Sequence, residues 1–304
     1  MSPPSVRGLI RIVHLFPELL NLYGDRGNIA TLAQRARWRG FDVEIQPIDA
    51  DANGARLAAD IIFIGGGPDH MQVGVAQALA RMEGSLARAI SDGAALLAVC
   101  GGFQNLGYHY RSSLVGTLPG PGLFDASTEA PDTTRRMVGG VVVKIEADSP
   151  IASIGRVSAI AAGFAGQEET IVGFENHSGR TFLGERVRAL GRVGRGHGNN
   201  GVDEGEGVIA LPGEAGIAGL RIGTYLHGPL LPRNPHLADF ILASVLGPRG
   251  IVDLPALSDA SEWAAHAAFA GRWGSGSGEH QDMPESTIAR AAGRGRVRSP
   301  RSAV

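Results

Sequence analysis

The sequence predicts an α/β fold in which a mostly parallel sheet is flanked by helices and accompanied by additional antiparallel strands. Over the first hundred residues, short apolar segments of strand length alternate with segments of helical periodicity, which is typical of β-α-β units. The six aliphatic residues before Cys100 predict a strand buried on both faces, as strands of parallel sheets are.

The elements of the first hundred residues follow from local signals. Asn28 is a candidate N-cap for a helix whose apolar residues keep helical spacing, and Gly40 ends that helix. Asp92 and Gly93 form the turn before the strand that leads to Cys100. The predicted elements are the strand 9–15, the helix 29–39, the strands 43–48 and 59–64, the helix 73–91 and the strand 94–99.

The pattern changes after about residue 111, where long loops separate the apolar segments. We expect the strands between 111 and 207 to be antiparallel in part and to decorate the same domain. From residue 207 onwards the core pattern returns. The predicted elements are the strands 138–145, 171–174, 186–193, 207–211 and 220–225 and the closing helix 237–246.

One domain, 8–247, is therefore predicted, followed by a C-terminal helical extension, 248–273, in which 255–272 adds a helix. The remaining residues, 274–304, are rich in Gly, Ser, Pro and Arg. This composition predicts a disordered tail, because it offers little apolar surface to bury.

Composition excludes several classes of function. The net charge of −2 over 304 residues provides no basic surplus to neutralise nucleic-acid phosphates. The single cysteine excludes an intramolecular disulfide and fits a reducing compartment. The first residues lead into a short strand and do not resemble a signal peptide. No apolar run reaches the roughly 20 residues that span a bilayer, so we expect a cytoplasmic protein.

Cys100 is the candidate nucleophile. It ends the buried strand and is followed by Gly101 and Gly102, with Gln104 one helical turn further on. A thiolate at a helix N-terminus is stabilised by backbone N–H groups and the helix dipole, and a strand-turn-helix of this kind is the geometry of a nucleophile elbow. The alternative is that Cys100 is a small buried core residue, as lone cysteines often are.

His227 and a triple glycine follow two other predicted strands. Because the carboxyl ends of parallel strands meet at one edge of a sheet, we expect His227 and Cys100 to lie together although 127 positions separate them. A histidine can take the thiol proton and later give it to a leaving amine. Backbone N–H groups of the triple glycine 65–67, together with that of Gly101, are candidates for an oxyanion hole. A loop histidine and a plain tight turn are the alternatives.

Nucleotide and metal sites are not predicted on this chain. The sequence has no G-x-x-x-x-G-K-[ST] phosphate-binding loop and no H-E-x-x-H pair, and one cysteine removes the common zinc spacings. The segment 196–201 matches G-x-G-x-x-G, but no strand-to-helix transition brackets it, so we reject a dinucleotide site there.

Taken together, these motifs resemble class I glutamine amidotransferase domains of the cobyric acid synthase-like group, which have a flavodoxin-like fold. The resemblance covers residues 10–246, about four fifths of the chain. The segments that carry it are 20–28, 65–67, 100–104, 173–181, 196–200 and 223–234.

The resemblance implies roles for individual residues. Cys100 is similar to the family's nucleophile and His227 to its general base. Arg136 is similar to the arginine that holds the glutamine substrate, since a guanidinium can donate two parallel hydrogen bonds to a carboxylate. Arg135 stands beside it and is the alternative. The further residues assigned to glutamine binding are Gly66, Gly67, Gly101 and Gln104.

One position departs from the wider class. Most class I amidotransferases have a glutamate two residues after the histidine, where this chain has Pro229. A carboxylate that orients His227 must then come from elsewhere or be absent. Glu175 and Asp25 are both candidates, and the sequence does not choose between them. We therefore describe the predicted site as a Cys–His dyad.

The resemblance also implies a reaction and a partner. The motifs are most similar to glutaminase subunits that supply ammonia to a MurT-like synthetase of the Mur ligase family. That partner, which holds ATP and Mg²⁺, amidates the D-glutamate of lipid II to D-isoglutamine in peptidoglycan synthesis and cell wall biogenesis. The expectations for this chain are a heterodimer, no cofactor and no metal of its own, and a position at the inner face of the membrane through the lipid-linked substrate.

Three other hypotheses remain open. The chain could be a stand-alone cysteine hydrolase or peptidase of the same fold, which needs no partner and no glutamine. It could supply ammonia for a different carboxylate acceptor. It could also be a non-catalytic binding module in which the cysteine is structural.

Overall fold

A computed structural model describes residues 7–22, 24–52, 56–131, 136–216 and 218–274. Its strands are β1 Leu9–Leu15, β2 Asp42–Ile48, β3 Ile61–Ile64, β4 Ala95–Val99, β5 His109–Ser112, β6 Gly116–Pro119, β7 Ala126–Ala130, β8 Met137–Lys144, β9 Thr170–His177, β10 Arg180–Leu183, β11 Gly191–Arg195, β12 Gly205–Glu206, β13 Val208–Ala210 and β14 Arg221–Thr224. Its α-helices are α1 Arg26–Trp38, α2 Gln72–Ser91, α3 Gly101–Asn105, α4 Pro150–Ala161, α5 Pro235–Leu246 and α6 Ala260–Gly274.

A six-stranded sheet forms the centre, with the strand order β13-β14-β4-β3-β1-β2. All neighbouring strands pair in parallel except β13 and β14, which are antiparallel. Every residue of β3 and β4 is buried, as expected for strands covered on both faces. The predicted α/β fold is confirmed.

The register of this sheet decides where the site lies. Val99, the last residue of β4, stands beside Thr224 at the end of β14. On the other side, Ala98 stands beside Ile64 at the end of β3. The three strands therefore end at the same edge, and the residues that follow them come together there, as in other open parallel sheets.

Two four-stranded sheets accompany the central one, with the orders β10-β7-β5-β6 and β12-β11-β8-β9. Their pairings are antiparallel except that of β5 with β7. The strand predicted at 186–193 is wrong: β11 begins only at Gly191. The residues before β11 do not continue this strand. The backbone N–H and the guanidinium of Arg186 both bond to Asp125 instead.

Several elements were not expected from the sequence, among them α4 and the strands β5, β6, β7 and β10. The start of α4 had a readable signal. Ser149 caps the helix by accepting a hydrogen bond from Ala152 N at 3.2 Å, and Pro150 occupies the first helical position. This is a common N-terminal arrangement. The short strands lack a comparable signal because their few residues alternate weakly and depend on their neighbours.

The C-terminal helix α6 packs on β8, β9 and β11, so it is part of the folded body. A buried ionic cluster ties the segment before α6 to the rest of the molecule: Arg35 of α1 bonds bidentately to Asp239 of α5 and contacts Asp259 at 2.7 Å. Breaking such a buried pair usually costs about 3–5 kcal/mol, because a buried charge is left without a partner.

Two of the sequence predictions concern residues that, apart from Gly274, the structure does not describe. Arg135 and the tail, apart from Gly274, lie outside the described residues. Among the helices described here, none combines the length and the apolar composition needed to traverse a bilayer.

Candidate active site

Cys100 occupies a sharp turn between β4 and α3. Its backbone has φ 49° and ψ −107°, in the positive-φ region that non-glycine residues rarely adopt. The turn is held at both ends, since Cys100 N donates to Thr224 O at 2.8 Å and Gln104 N donates to Cys100 O at 2.9 Å. This is the strained geometry of a nucleophile elbow. The residue as a whole is 8% exposed.

His227 lies on the loop after β14 and meets Cys100 there. Its backbone is clamped to β9, because His227 N donates to Phe174 O at 2.7 Å and Phe174 N donates to His227 O at 3.2 Å. The imidazole is buried and lies next to the Cys100 side chain, since a single Cβ on Gly66 would meet both. The structure thus brings together the two residues that the sequence proposed as nucleophile and base.

Asp25 is the carboxylate beside His227. Its Oδ1 lies 3.3 Å from His227 Nδ1, and its Oδ2 accepts a hydrogen bond from Gly66 N at 2.7 Å. Burial opposes a charge on His227, but the Cys100 sulfur and the Asp25 carboxylate outweigh it and raise the pKa of the imidazole to about 10. The predicted dyad is therefore incomplete: the geometry is that of a Cys–His–Asp triad.

The other candidate, Glu175, serves a different part of the molecule. Its buried carboxylate accepts hydrogen bonds from the backbone N–H groups of His197 and Gly198, at 2.9 and 3.0 Å, and contacts His197 Nδ1 at 2.7 Å. It also lies 3.7 Å from His177 Nε2. These bonds fasten the loop after β11 to β9.

Pro229 contributes to the site by packing. A Cβ placed on Gly27, in the first turn of α1, would lie only 2.5 Å from Pro229 Cγ. The His227 loop thus rests directly on the helix that Asp25 precedes. The residue in the place of the usual glutamate therefore helps to set the distance between His227 and its actual carboxylate partner.

The glycines after β3 and β4 line the contact between nucleophile and base. A Cβ on Gly66 would lie 2.5 Å from His227 Cε1 and 3.1 Å from Cys100 Cβ, so only glycine fits. Gly66 N donates to Asp25 Oδ2, and the part of Gly66 in glutamine binding stays a prediction. A Cβ on Gly101 would lie 3.3 Å from Gly67 N, so the amides of Gly67 and Gly101 are the neighbouring candidates.

Gln104 lies in a buried polar network behind Cys100. Its Oε1 accepts from Gln72 Nε2 at 2.9 Å, and its Nε2 donates to the Tyr225 hydroxyl at 3.3 Å. The Tyr225 hydroxyl also bonds Thr181 at 2.6 Å. These contacts fix α3 beneath the nucleophile. That Gln104 binds glutamine stays a prediction, since both ends of its amide are bonded within the protein.

Arg136 is held in place at the start of β8. Its Nε and Nη2 donate to the side-chain and backbone oxygens of Asn176, at 2.8 and 3.2 Å, and its Nη1 donates to Asp69 at 3.0 Å. Asp69 comes two residues after Gly67. Tyr110 lies near Asp69, Arg136 and Cys100. Burial and then the charge of Asp69 raise the pKa of Tyr110, whereas the charge of Arg136 lowers it. The guanidinium side chain is 39% exposed, so it remains accessible to an anion.

Glu206 is a buried group that the sequence did not point out. Its Oε1 accepts hydrogen bonds from Thr224 Oγ1 at 2.6 Å and Tyr225 N at 2.9 Å. Burial raises the pKa of this carboxyl to about 7 despite those bonds. Glu206 thus fixes the end of β14, from which the His227 loop starts.

In the parts of the chain that the structure describes, no three metal-ligating side chains are grouped as a metal site would need.

Comparison with known proteins agrees with this geometry. Residues 11–235 match the family described as CobB/CobQ-like glutamine amidotransferase domains. The chain belongs to this family, which confirms the resemblance seen in its motifs.

Two relatives in this family share most of their length with the chain. The "Lipid II isoglutaminyl synthase (glutamine-hydrolyzing) subunit GatD" of Staphylococcus aureus (strain N315) is 37% identical over 242 residues, which cover 80% of this chain and 86% of the relative. The subunit of the same name from Streptococcus pneumoniae (strain ATCC BAA-255 / R6) is 32% identical over 252 residues, covering 82% and 86%. Among solved structures, the glutaminase domain of Trypanosoma brucei CTPS with bound acivicin is 14% identical with a TM-score of 0.47, covering 78% of this chain and 94% of that one.

Proposed function

We propose that this chain hydrolyses glutamine to glutamate and ammonia as the glutaminase subunit of a lipid II isoglutaminyl synthase. The observation that carries the proposal is the strained elbow of Cys100 in contact with His227, whose other ring nitrogen faces Asp25. This arrangement activates a thiol and holds its base in one orientation. Membership of the amidotransferase family and the similarity to the GatD subunits indicate that the substrate is glutamine.

The chemistry follows from the positions of the three side chains. The Cys100 thiolate attacks the carboxamide carbon of glutamine, and the imidazolium of His227 gives its proton to the leaving nitrogen, which departs as ammonia. The resulting γ-glutamyl thioester is then hydrolysed by a water molecule whose proton His227 accepts. Throughout, Asp25 holds His227 Nδ1–H and stabilises its positive charge.

Backbone donors are proposed to stabilise the tetrahedral intermediate. Gly101 directly follows Cys100, and a Cβ on it would lie 3.3 Å from Gly67 N; preorganised N–H groups in an oxyanion hole typically contribute about 10²–10³-fold in rate. Arg136 is proposed to bind the α-carboxylate of glutamine, since its guanidinium is oriented by Asn176 and partly exposed.

Ammonia is useful only if a second active site consumes it. We propose that a MurT-like synthetase of the Mur ligase family forms a heterodimer with this chain and uses ATP and Mg²⁺ to activate the D-glutamate carboxylate of lipid II. The name of the relatives, a synthase "subunit" acting on lipid II, supports this assignment. In this proposal the chain needs no cofactor or metal of its own and works in the cytoplasm, at the inner face of the membrane.

The glutaminase step is tested with an electrophilic glutamine analogue. We expect 6-diazo-5-oxo-norleucine to form one adduct, on Cys100, detectable by mass spectrometry of the intact protein. The Cys100→Ala variant should form none, and glutamine should protect the wild type. A wild-type protein that stays unmodified would contradict the proposal and favour a cysteine hydrolase of another specificity.

The two-chain arrangement is tested by supplying ammonia directly. In the complex with its synthetase, Cys100→Ala should abolish glutamine-dependent amidation of lipid II but retain amidation driven by ammonium salts. Unchanged glutamine-dependent amidation in this variant would show that Cys100 is structural. Wild-type amidation of a different carboxylate substrate in place of lipid II would reassign the acceptor.

A further inference from the structure

The loop that carries His227 is joined to α6, a helix outside the residues 11–235 that match the family. Gly228, the next residue, has φ 107°, and its carbonyl oxygen accepts a hydrogen bond from Arg233 Nη1 at 2.6 Å. A Cβ on Gly228 would lie 3.2 Å from that nitrogen. The guanidinium thus binds the Gly228–Pro229 peptide, one residue beyond the proposed base.

Helix α6 holds Arg233 at two points. The guanidinium carbon lies 5.2 Å from the centre of the Phe269 ring, a cation–π contact. The backbone oxygen of Arg233 accepts a hydrogen bond from His266 Nδ1 at 2.8 Å. Because a carbonyl only accepts, His266 carries its hydrogen on Nδ1, and Nε2 can accept from the Thr170 hydroxyl, 2.8 Å away. Burial lowers the pKa of His266 to about 4, which fits this neutral form.

Helix α6 is itself firmly anchored. Trp263 is fully buried, and its Nε1 donates to Ser158 Oγ at 3.1 Å. Further along the helix, Trp273 covers Gly140 of β8 so closely that a Cβ there would lie 2.4 Å from the indole ring. A helix fixed at both ends can hold a neighbouring side chain in a single orientation.

The His227 loop is also attached in its middle, where Pro229 packs on Gly27 and Leu231 N donates to Asn28 Oδ1 at 2.8 Å, and at its two ends. His227 is paired with Phe174, and Asn234 exchanges hydrogen bonds with both backbone groups of Val172. Between these points, the bond from Arg233 to Gly228 ties the loop across its own turn. Among the attachments beyond His227 itself, the bond to the Gly228 carbonyl lies nearest to His227 in the loop, and it comes from the guanidinium that α6 contacts.

We propose that Arg233 is a positioning residue for His227 and that α6 belongs to the active-site scaffold. The inference rests on the proposed function, because it concerns the base of glutamine hydrolysis. Without the Phe269 ring, the guanidinium gains other rotamers, the Gly228 peptide can turn, and the imidazole moves away from the Cys100 sulfur. A displacement of about 1 Å in reacting groups can cost on the order of 10²-fold in rate.

The test compares variants of the full chain in complex with the synthetase. Phe269→Leu removes the ring but retains an apolar side chain, Phe269→Tyr retains the ring, and Arg233→Met removes the guanidinium. Phe164→Leu is the matched control, because Phe164 is also half-buried and follows α4. The measurements are kcat and KM for glutamine hydrolysis, the pH profile of Cys100 alkylation by iodoacetamide, and the thermal midpoint.

We expect Phe269→Leu and Arg233→Met to lower kcat about tenfold or more, with KM within about twofold, and to shift the pH profile of alkylation. Phe269→Tyr and Phe164→Leu should behave as the wild type. A lower thermal midpoint with unchanged kcat and pH profile in both Phe269→Leu and Arg233→Met would overturn the inference, since α6 would then only stabilise the fold. A wild-type complex that does not hydrolyse glutamine would instead contradict the proposed function, so the two failures are distinguishable.

Discussion

At Cys100 the backbone adopts a conformation that costs about 1–3 kcal/mol for a residue with a Cβ. Two backbone hydrogen bonds hold Cys100 in this conformation. Its N–H donates to Thr224 O in β14, and its carbonyl oxygen accepts from Gln104 N in α3. In the proposed mechanism this turn presents the thiol of Cys100 at the edge of the sheet where His227 also lies. Gly66 allows this contact, since any side chain there would separate the sulfur from the imidazole.

At Asp25, replacing one carboxylate oxygen with an amide nitrogen is expected to change the protonation of His227. The change Asp25→Asn keeps an oxygen for Gly66 N but presents an amide N–H to His227 Nδ1. The imidazole must then carry its hydrogen on Nε2, where it cannot accept the thiol proton. We expect kcat for glutamine hydrolysis to fall about 10²- to 10⁴-fold with little change in KM.

Steady-state kinetics of the complex check this expectation. Asp253→Asn, an exposed position on the loop before α6, is the matched control and should retain wild-type rates. A kcat for Asp25→Asn within threefold of the wild type would return the site to a Cys–His dyad.

At the scale of elements, the start of α1 and the His227 loop form one packed unit. Pro229 rests on Gly27, and Leu231 N donates to Asn28 Oδ1 at 2.8 Å. Asp25 stands at the N-terminus of the same helix. The distance between base and carboxylate is therefore set by how closely α1 and the loop approach.

Gly27→Ala tests this packing. The new methyl group would lie 2.5 Å from Pro229 Cγ, so the loop must shift. We expect a loss of about 1–3 kcal/mol in the free energy of unfolding and a reduced kcat. Gly84→Ala is the control: it lies in α2 with nothing within 4 Å of the added Cβ, and should stabilise the protein by about 0.5–1 kcal/mol. Urea unfolding and glutaminase assays measure both, and equal effects of the two changes would contradict the packing argument.

At the scale of the whole molecule, buried charges connect parts that are distant in sequence. Arg35 links α1 to α5 and to the segment before α6. Glu175 links β9 to the loop after β11. Although burial opposes its charge, the nearby His177 and the hydrogen-bonded His197 lower the pKa of Glu175 to about 2.

The lowered pKa of Glu175 predicts how stability depends on pH. Because the folded-state value lies below the ordinary value of 4.5, the carboxylate stabilises the fold above about pH 4.5, and this contribution is lost as the pH falls toward 2. The difference corresponds to roughly 3 kcal/mol. Glu175→Gln should lower stability at pH 7 and flatten the decline between pH 5 and 3, as measured by urea unfolding. A decline as steep as that of the wild type would refute the assignment.

Much of the fold was predictable because its core strands are short, apolar and bounded by turns. The strands that end at Cys100 and before the triple glycine were found within two residues of their observed limits. The decorating strands β5–β7 and β10 were missed, and 186–193 was assigned wrongly. These segments are partly exposed, so their conformation depends on the strands they pair with more than on their own pattern.

The sequence by itself predicted Cys100 as the nucleophile and His227 as the base, and its motifs indicated the family that the comparison confirms. The physical reason is local: a buried strand that stops at a residue with a reactive side chain places that residue at the edge of a parallel sheet. Only the tertiary structure decided that Asp25, not Glu175, faces His227 across 202 positions, and that Gly66 N serves this carboxylate. It also decided that α6 reaches the His227 loop through Arg233. These contacts depend on how the elements pack together, and the spacing of residues along the chain does not predict them.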